Sequence, residues 1–178
     1  MKIKYIILSA LLLLSMAGCQ TQNNDNISSS KSSGDIKLTL YADKANYKPN
    51  DEIKLWATLE YKGKQNSITL WHDNPFINFY IASKTDNFKW EPLNDALLVN
   101  TVINKNEKFI NYFPKPINIS KKDIESIEDE KMREFVQDPK FHLPKGKYEV
   151  KAFTKFSTSK DSKENITLIA SLNIKVEG

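Results

Sequence analysis

The sequence is poor in the residue types that build catalytic, metal and phosphate sites. Among its 178 residues there are one cysteine, two histidines and five glycines. A single cysteine excludes an intramolecular disulfide, and no His-x-His or His-Glu-x-x-His spacing predicts a zinc site. Nor is there a Gly-x-Ser-x-Gly elbow, a phosphate-binding loop or a dinucleotide fingerprint. We therefore expect a protein that is not an enzyme and holds no metal or cofactor.

The best local pair of polar residues is His72-Asp73, which lies just before Pro75. Two interpretations of this weak polar site are open. It is either a hydrogen-bonded turn or part of a His-dependent metal or enzyme site, which would need His142 and carboxylates from distant strands. A hydrogen-bonded turn accounts for the pair on its own, and we favour it.

A large excess of one charge is also lacking. The chain has 26 basic and 22 acidic side chains, a net charge of +4. Without Lys2 and Lys4, which belong to the N-terminal segment described next, 24 basic side chains stand against 22 acidic ones. Because basic and acidic side chains are nearly equal in number, we expect no nucleic-acid partner and no polybasic membrane-binding segment.

The apolar run at the N-terminus is too short to span a bilayer. It covers residues 5–17, whereas a transmembrane helix needs about 20 residues, so it fits the apolar part of a cleaved signal peptide. Ser15-Met16-Ala17-Gly18-Cys19 resembles the lipobox of bacterial lipoproteins, although Met16 is less usual than Leu at its position. The resemblance implies removal of residues 1–18 and a diacylglyceryl group on Cys19, which would anchor the protein at the extracytoplasmic face of the cell membrane. An ordinary secretory signal with an accidental cysteine is the alternative.

The segment after Cys19 is polar and rich in Ser and Asn. Residues 20–34 offer no apolar face, so we expect residues 19–34 to form a lipidated end and a disordered linker. From residue 35 to residue 178 the chain is long enough for one domain with a sizeable core.

Strict alternation of apolar and polar residues predicts that this domain is an all-β, antiparallel sandwich. The alternating runs lie at residues 36–40, 53–61, 68–70, 77–81, 148–152 and 166–176. Pro49-Asn50 is predicted to fill the centre of a β-turn, and Lys62-Gly63-Lys64 is a hairpin candidate. One helical insertion is predicted over residues 120–137, with Ser120 as its N-cap and Asp123 three residues later.

Two motifs resemble the immunoglobulin-like domains of bacterial surface proteins. They are Tyr47-Lys48-Pro49-Asn50-Asp51-Glu52-Ile53, with Asn50 where Gly is usual, and Leu143-Pro144-Lys145-Gly146-Lys147-Tyr148-Glu149-Val150. The resemblance implies an immunoglobulin-like fold in which Tyr148 packs at a strand corner. The whole chain is similar to small membrane lipoproteins of bacilli and, more loosely, to the intracellular proteinase inhibitors of bacilli, so a proteinase inhibitor is the alternative function.

Three large aromatic side chains, Trp56, Trp71 and Tyr80, are expected to point away from the core. They follow or precede residues predicted to point inward, and successive side chains of a strand alternate between faces. The insertion could cover them through Ile124, Ile127 and Phe135 as a second small core. Otherwise they form an exposed platform that binds an envelope protein or a glycan. The sequence thus predicts a non-catalytic binding or accessory domain whose ligand is unknown.

Overall fold

Two β-sheets enclose the core. The computed structural model describes residues 26–91, 95–114, 120–162 and 164–178, and eleven strands and two helices form within these ranges. The strands are β1 (Ile27–Ser33), β2 (Ile36–Ala42), β3 (Asn46–Tyr47), β4 (Leu55–Tyr61), β5 (Ser67–Asn74), β6 (Asn78–Ser83), β7 (Lys89–Trp90), β8 (Asp95–Asn104), β9 (Lys108–Tyr112), β10 (Gly146–Ser157) and β11 (Ile166–Val176). The helices are α1 (Lys121–Glu125) and α2 (Glu130–Gln137).

The first sheet has the strand order β1-β2-β4-β9, and the second has the order β3-β11-β10-β5-β8. Strand β6 extends the second sheet by pairing with both β10 and β7. All pairs between these strands are antiparallel except β3 with β11, which is parallel. The predicted all-β sandwich is confirmed, with this one parallel pair as a departure from a purely antiparallel fold.

The predicted alternation of side chains is confirmed in the core. Leu55, Leu70 and Leu168 are 3%, 0% and 1% exposed, so each points between the sheets. Burying a leucine side chain contributes about 1.5–3 kcal/mol before the entropy of ordering it is counted. The core therefore depends on every second residue of the strands.

The linker prediction is wrong for residues 27–33, because these residues form β1. Every residue of β1 pairs with β2, from Ile27 opposite Ala42 to Ser33 opposite Ile36. Gly34 begins the two-residue turn between the strands with φ +54°, as a type II′ hairpin requires. Backbone hydrogen bonds to an apolar neighbour hold this polar edge strand, so the folded domain includes residues 27–33, which were expected to belong to the linker. Of the predicted signal peptide and linker, residues 1–25 lie outside the described part of the chain.

Of the predicted turns, one is confirmed and one is wrong. The backbone N–H of Asp51 donates to the carbonyl of Lys48 (3.1 Å), which closes a β-turn around Pro49 and Asn50, and Asn50 has φ 66°. The Lys62-Gly63-Lys64 segment is not a hairpin, because β4 and β5 on either side of it belong to different sheets.

The predicted insertion is helical but consists of two helices. Ser120 caps α1, its side chain accepting a hydrogen bond from the N–H of Asp123, and Asp129 caps α2 in the same way through Met132. The ammonium of Lys131 donates to Asp86 (2.5 Å), which docks α2 against the turn after β6 and lowers the pKa of Asp86 to about 2.

Tyr148 packs at the start of β10 as expected. Its ring is buried, and its hydroxyl donates to the carbonyl of Pro144 (2.7 Å). The geometry resembles the tyrosine corner of immunoglobulin-like sandwiches. Burial raises the pKa of Tyr148 to about 12, so the hydroxyl keeps its proton.

Candidate functional site

The three predicted aromatic residues point away from the core but do not lie together. Trp56, Trp71 and Tyr80 are half-buried, each beside a buried neighbour on its strand. Trp56 belongs to the first sheet, whereas Trp71 and Tyr80 belong to the second. Because the outer faces of a sandwich look in opposite directions, these side chains cannot form one platform.

Trp71 and Tyr80 are also far from each other. Trp71 pairs with Ser157 of β10 and Tyr80 with Lys151. Six residues of a strand separate these positions, about 20 Å. A lysine ammonium lies near each ring. Lys160 Nζ is 5.7 Å from the centre of a Trp71 ring, and Lys151 Nζ is 5.4 Å from the centre of the Tyr80 ring.

The helical insertion forms a second aromatic cluster, at one end of the sandwich. Phe135 of α2 is the inserted aromatic residue, and its ring contacts are with Phe88, Trp90, Phe113 and Phe141. Ile124 and Ile127 are half-buried against the core. The cluster covers Trp90, a tryptophan that was not among the three predicted aromatic residues.

A different row of aromatic side chains crosses the outer face of the first sheet. Tyr41 of β2, Trp56 of β4 and Tyr112 of β9 occupy directly opposite positions on neighbouring strands. The rings of Tyr41 and Trp56 are stacked, with centroids 5.2 Å apart and planes 4° from parallel. Tyr112 is 68% exposed, and Ile110, two residues before it on the same face, is 49% exposed. We call the surface formed by Tyr41, Trp56, Ile110 and Tyr112 the aromatic face.

A cleft of about 410 Å³ lies at one end of this face. Trp56 and Tyr112 line it together with the segment that precedes β4 and the segment that follows α2. Two backbone hydrogen bonds join residues of its lining: the N–H of Phe113 donates to the carbonyl of Leu55 (3.0 Å), and the N–H of Ile53 donates to that of Phe141 (2.8 Å). The start of β4 is thus paired with the residue after β9, and the segment just before β4 is paired with the segment after the helical insertion.

Charged side chains surround the cleft and the aromatic face. Lys54, Lys140 and Glu52 line the cleft, and within the described ranges the two lysines form no ion pair. At the far end of the same sheet face, Glu60 lies between Lys37 and Lys108 in the register. Burial acts to raise the pKa of Glu60, but hydrogen bonds from Lys62 and Lys108 outweigh this effect and keep its pKa below the usual value.

Sequence reasoning found Trp56 but missed its partners. Tyr41 lies between Leu40 and Ala42, both buried, so the alternation rule would have placed it on the outer face. Tyr112 and Ile110 could not be found in this way, because β9 was not predicted. That Lys140 reaches the cleft depends on how the insertion returns to the sheet, which no local pattern encodes.

The His72-Asp73 pair does not form the predicted turn, because both residues lie in β5, where the pairing with β8 is irregular between His72 and Asn74. The imidazole of His72 is buried and stacked on Phe76, with ring centres 3.6 Å apart. Its Nδ1 lies 2.7 Å from the carbonyl oxygen of Asp73, which can only accept, so Nδ1 carries the proton and Nε2 accepts from the hydroxyl of Thr101 (2.8 Å). Desolvation lowers the pKa of His72 below its usual value. Stacking on Phe76 and two hydrogen bonds therefore hold the His72 ring in place.

His142 is likewise held locally. Its Nδ1 lies 2.6 Å from Asp138 Oδ2, beside a small pocket of about 200 Å³ at the end of α2. In the part of the chain that the structure describes, no group of three or more His, Cys, Asp or Glu side chains could hold a metal ion.

The predicted lipid attachment point, Cys19, lies outside the described residues. Neither of the two described helices has the length and apolar character needed to cross a membrane. The fold and the site together define a β-sandwich protein with an aromatic cleft on one sheet. No protein-family model matches the chain, and a search of curated proteins finds no match.

Proposed function

We propose that this protein is a lipid-anchored lipoprotein of the cell envelope whose β-sandwich is a non-catalytic binding module. The observation that carries the binding role is the cleft that Trp56 and Tyr112 line together. Its volume of about 410 Å³ falls within the usual range of ligand sites, about 300–1,000 Å³. The aromatic face continues the cleft across the first sheet.

The lining of the cleft suits binding. Apolar and aromatic side chains provide contact area, and Lys54, Lys140 and Glu52 provide charges at its edge. Sites of this composition hold ligands through apolar contact and orient them with a few polar groups. Exposed Tyr and Trp side chains are also the types most enriched where proteins meet partners.

The anchor depends on Cys19. A diacylglyceryl group carries two acyl chains, and each buried CH₂ contributes about 0.8 kcal/mol, so two chains hold a protein stably where one holds it only reversibly. The resemblance of residues 15–19 to a lipobox supports this attachment.

Replacing the cysteine tests the anchor. In cells fed a labelled fatty acid, the native protein should carry the label and sediment with membranes. The Cys19→Ala variant should lose the label, whereas Gln20→Ala, the matched control one residue away, should keep it. Mature native protein without the label, or mature Cys19→Ala protein still bound to membranes, would contradict the lipid attachment.

Co-sedimentation with envelope fragments tests the binding site. Tyr112→Ala should weaken binding, because Tyr112 forms a wall of the cleft. The control Tyr80→Ala removes a half-buried tyrosine from the opposite sheet and should leave binding unchanged. A panel of proteases tests the alternative function: inhibition that Tyr112→Ala leaves intact would favour an inhibitor instead.

A further inference from the structure

We propose that the partner of the aromatic face is the anionic outer surface of the phospholipid bilayer that holds the lipid anchor. The domain would then lie on the membrane through its first sheet. This inference rests on the proposed function, because it needs the acyl chains on Cys19, and it names the partner of the same site.

The length of the connecting chain places the aromatic face near the anchor. Strand β1 begins at Ile27, so only residues 20–26 separate the fold from Cys19. Eight Cα–Cα steps reach at most about 29 Å even when fully extended. Ser28 lies directly opposite Tyr41, and Tyr41, Trp56 and Tyr112 continue the same row. The chain thus enters the fold at the end of the sheet that carries the aromatic row.

The chemistry of this row suits the membrane–water interface. Tyr and Trp side chains are enriched there, because each has an apolar body and a polar group that keeps contact with water. Tyr112 and Ile110 are largely exposed and adjacent. The membrane–water interface accepts both apolar and polar groups, so it would cover these two side chains without a pocket of matching shape.

The charges around the row suit an anionic surface. Lys54 and Lys140 lie at the anchored end without ion-pair partners in the described ranges, and Lys37 lies at the other end of the face. Glu60 is paired with Lys62 and Lys108. Glu52 lines the cleft, and the carboxylates of Asp43 and Asp138 accept hydrogen bonds from the backbone N–H groups of Lys54 and Lys140 and leave the two ammonium groups unpaired in the described ranges. Basic side chains near an anionic leaflet favour association by about fivefold each.

The acidic insertion fixes how the domain would lie. Residues 120–138 carry seven acidic and four basic side chains, and they pack at the same end of the sandwich, where Phe141 accepts from Ile53 and Lys131 meets Asp86. If the domain stood on this end, the acidic segment would face the anionic lipid headgroups and be repelled by them. Lying on the face of the first sheet brings Trp56 to the lipid, whereas α2 is docked through Lys131 on the turn after β6 of the second sheet.

Tryptophan quenching by brominated lipids tests the contact. The purified full-length mature lipoprotein is reconstituted in vesicles of phosphatidylglycerol and brominated phosphatidylcholine. The chain has three tryptophans; Trp56 is on the aromatic face, Trp71 is on the opposite sheet and Trp90 is buried. Brominated lipid should quench the emission of Trp56. The quenching should therefore disappear in Trp56→Phe and persist in the matched control Trp71→Phe.

The charge requirement has its own pair of variants. Lys54→Gln and Lys140→Gln should each lower the ratio of docked to undocked protein by about fivefold in phosphatidylglycerol vesicles. Lys155→Gln removes an exposed lysine from β10 of the other sheet and should change nothing. Equal quenching in neutral and anionic vesicles would overturn the role of charge.

The outcomes separate this inference from the function on which it rests. An intact mass without the diacylglyceryl group would overturn the lipoprotein assignment and the docking with it. A lipidated protein that floats with the vesicles while brominated lipid leaves Trp56 emission unchanged would overturn the docking alone. A Trp56 response to soluble wall polymer but not to vesicles would assign the face to that polymer and overturn the bilayer as its partner.

Discussion

Tyr148 shows how one hydroxyl group can fix a corner of the sandwich. Its ring is buried and its hydroxyl donates to the carbonyl of Pro144. The Tyr148→Phe variant keeps the ring and should lose about 1 kcal/mol of unfolding free energy, which corresponds to about 2–4 °C in melting temperature for a chain of this size. Urea denaturation measures the loss.

Tyr80→Phe is the matched control for this substitution. It removes the hydroxyl of a half-buried tyrosine for which the described residues provide no hydrogen-bond partner, and it should leave the stability unchanged. Equal losses for both variants would mean that the hydrogen bond at the corner contributes nothing measurable.

His72 should make the stability of the fold depend on pH. Desolvation lowers its pKa in the folded protein, so below pH of about 6.5 the unfolded chain takes up a proton that the folded protein refuses. The free energy of unfolding should therefore fall as the pH falls below that value. In His72→Phe the fall should be smaller, as measured by urea denaturation at several pH values.

His142→Gln keeps His72 and serves as the control. It should retain the loss of stability that His72 causes on acidification. The same pH dependence in His72→Phe and in the native protein would show that His72 is not its source.

At the level of elements, β1 shows what hydrophobic periodicity cannot detect. Its sequence, Ile27–Ser33, is mostly serine, so it has no apolar alternation. A signal was nevertheless present: Gly34-Asp35 between two extended segments is a two-residue hairpin loop with Gly at its first position. The polar strand is stable because β2 supplies both the backbone partners and the apolar face.

The turn residue of this hairpin offers a direct test. Gly34 has φ +54°, a conformation that costs a side chain with a Cβ about 1–2 kcal/mol. Gly34→Val should therefore lower the unfolding free energy by that amount in urea denaturation. Gly34→Asn should lose less, because Asn adopts this conformation more readily. A Gly34→Val variant as stable as the native protein would contradict the pairing of β1 with β2.

The insertion was predictable as a helical segment but not in its packing. Ser120 and Asp123 form the expected cap. The division into two helices at residues 126–129 and the aromatic cluster around Phe135 were not predicted. Phe88 and Trp90 come from one segment, whereas Phe113 and Phe135 come from two others, so only the tertiary fold could show that they meet.

At the scale of the whole molecule, the sequence placed side chains correctly but not sheets. Trp56, Trp71 and Tyr80 face outward as expected, yet β4 lies in one sheet and β5 and β6 lie in the other. Because β4 and β5 lie in different sheets, the segment Lys62-Gly63-Lys64 connects the two sheets and does not form the predicted hairpin. Alternation reports which residues share a face of one strand, but it holds no information about the neighbouring strand.

The sequence by itself determined that this chain forms a β-sandwich, where Asn50 turns the backbone and which residues enter the core. These properties depend on local backbone conformation and on a side-chain period of two. Only the tertiary structure decided that Tyr41, Trp56 and Tyr112 form one row and that Lys140 reaches their cleft. Both depend on strand order and register. Strands pair through backbone N–H and C=O groups, which nearly every residue has, so the side chains do not reveal which distant strands will pair.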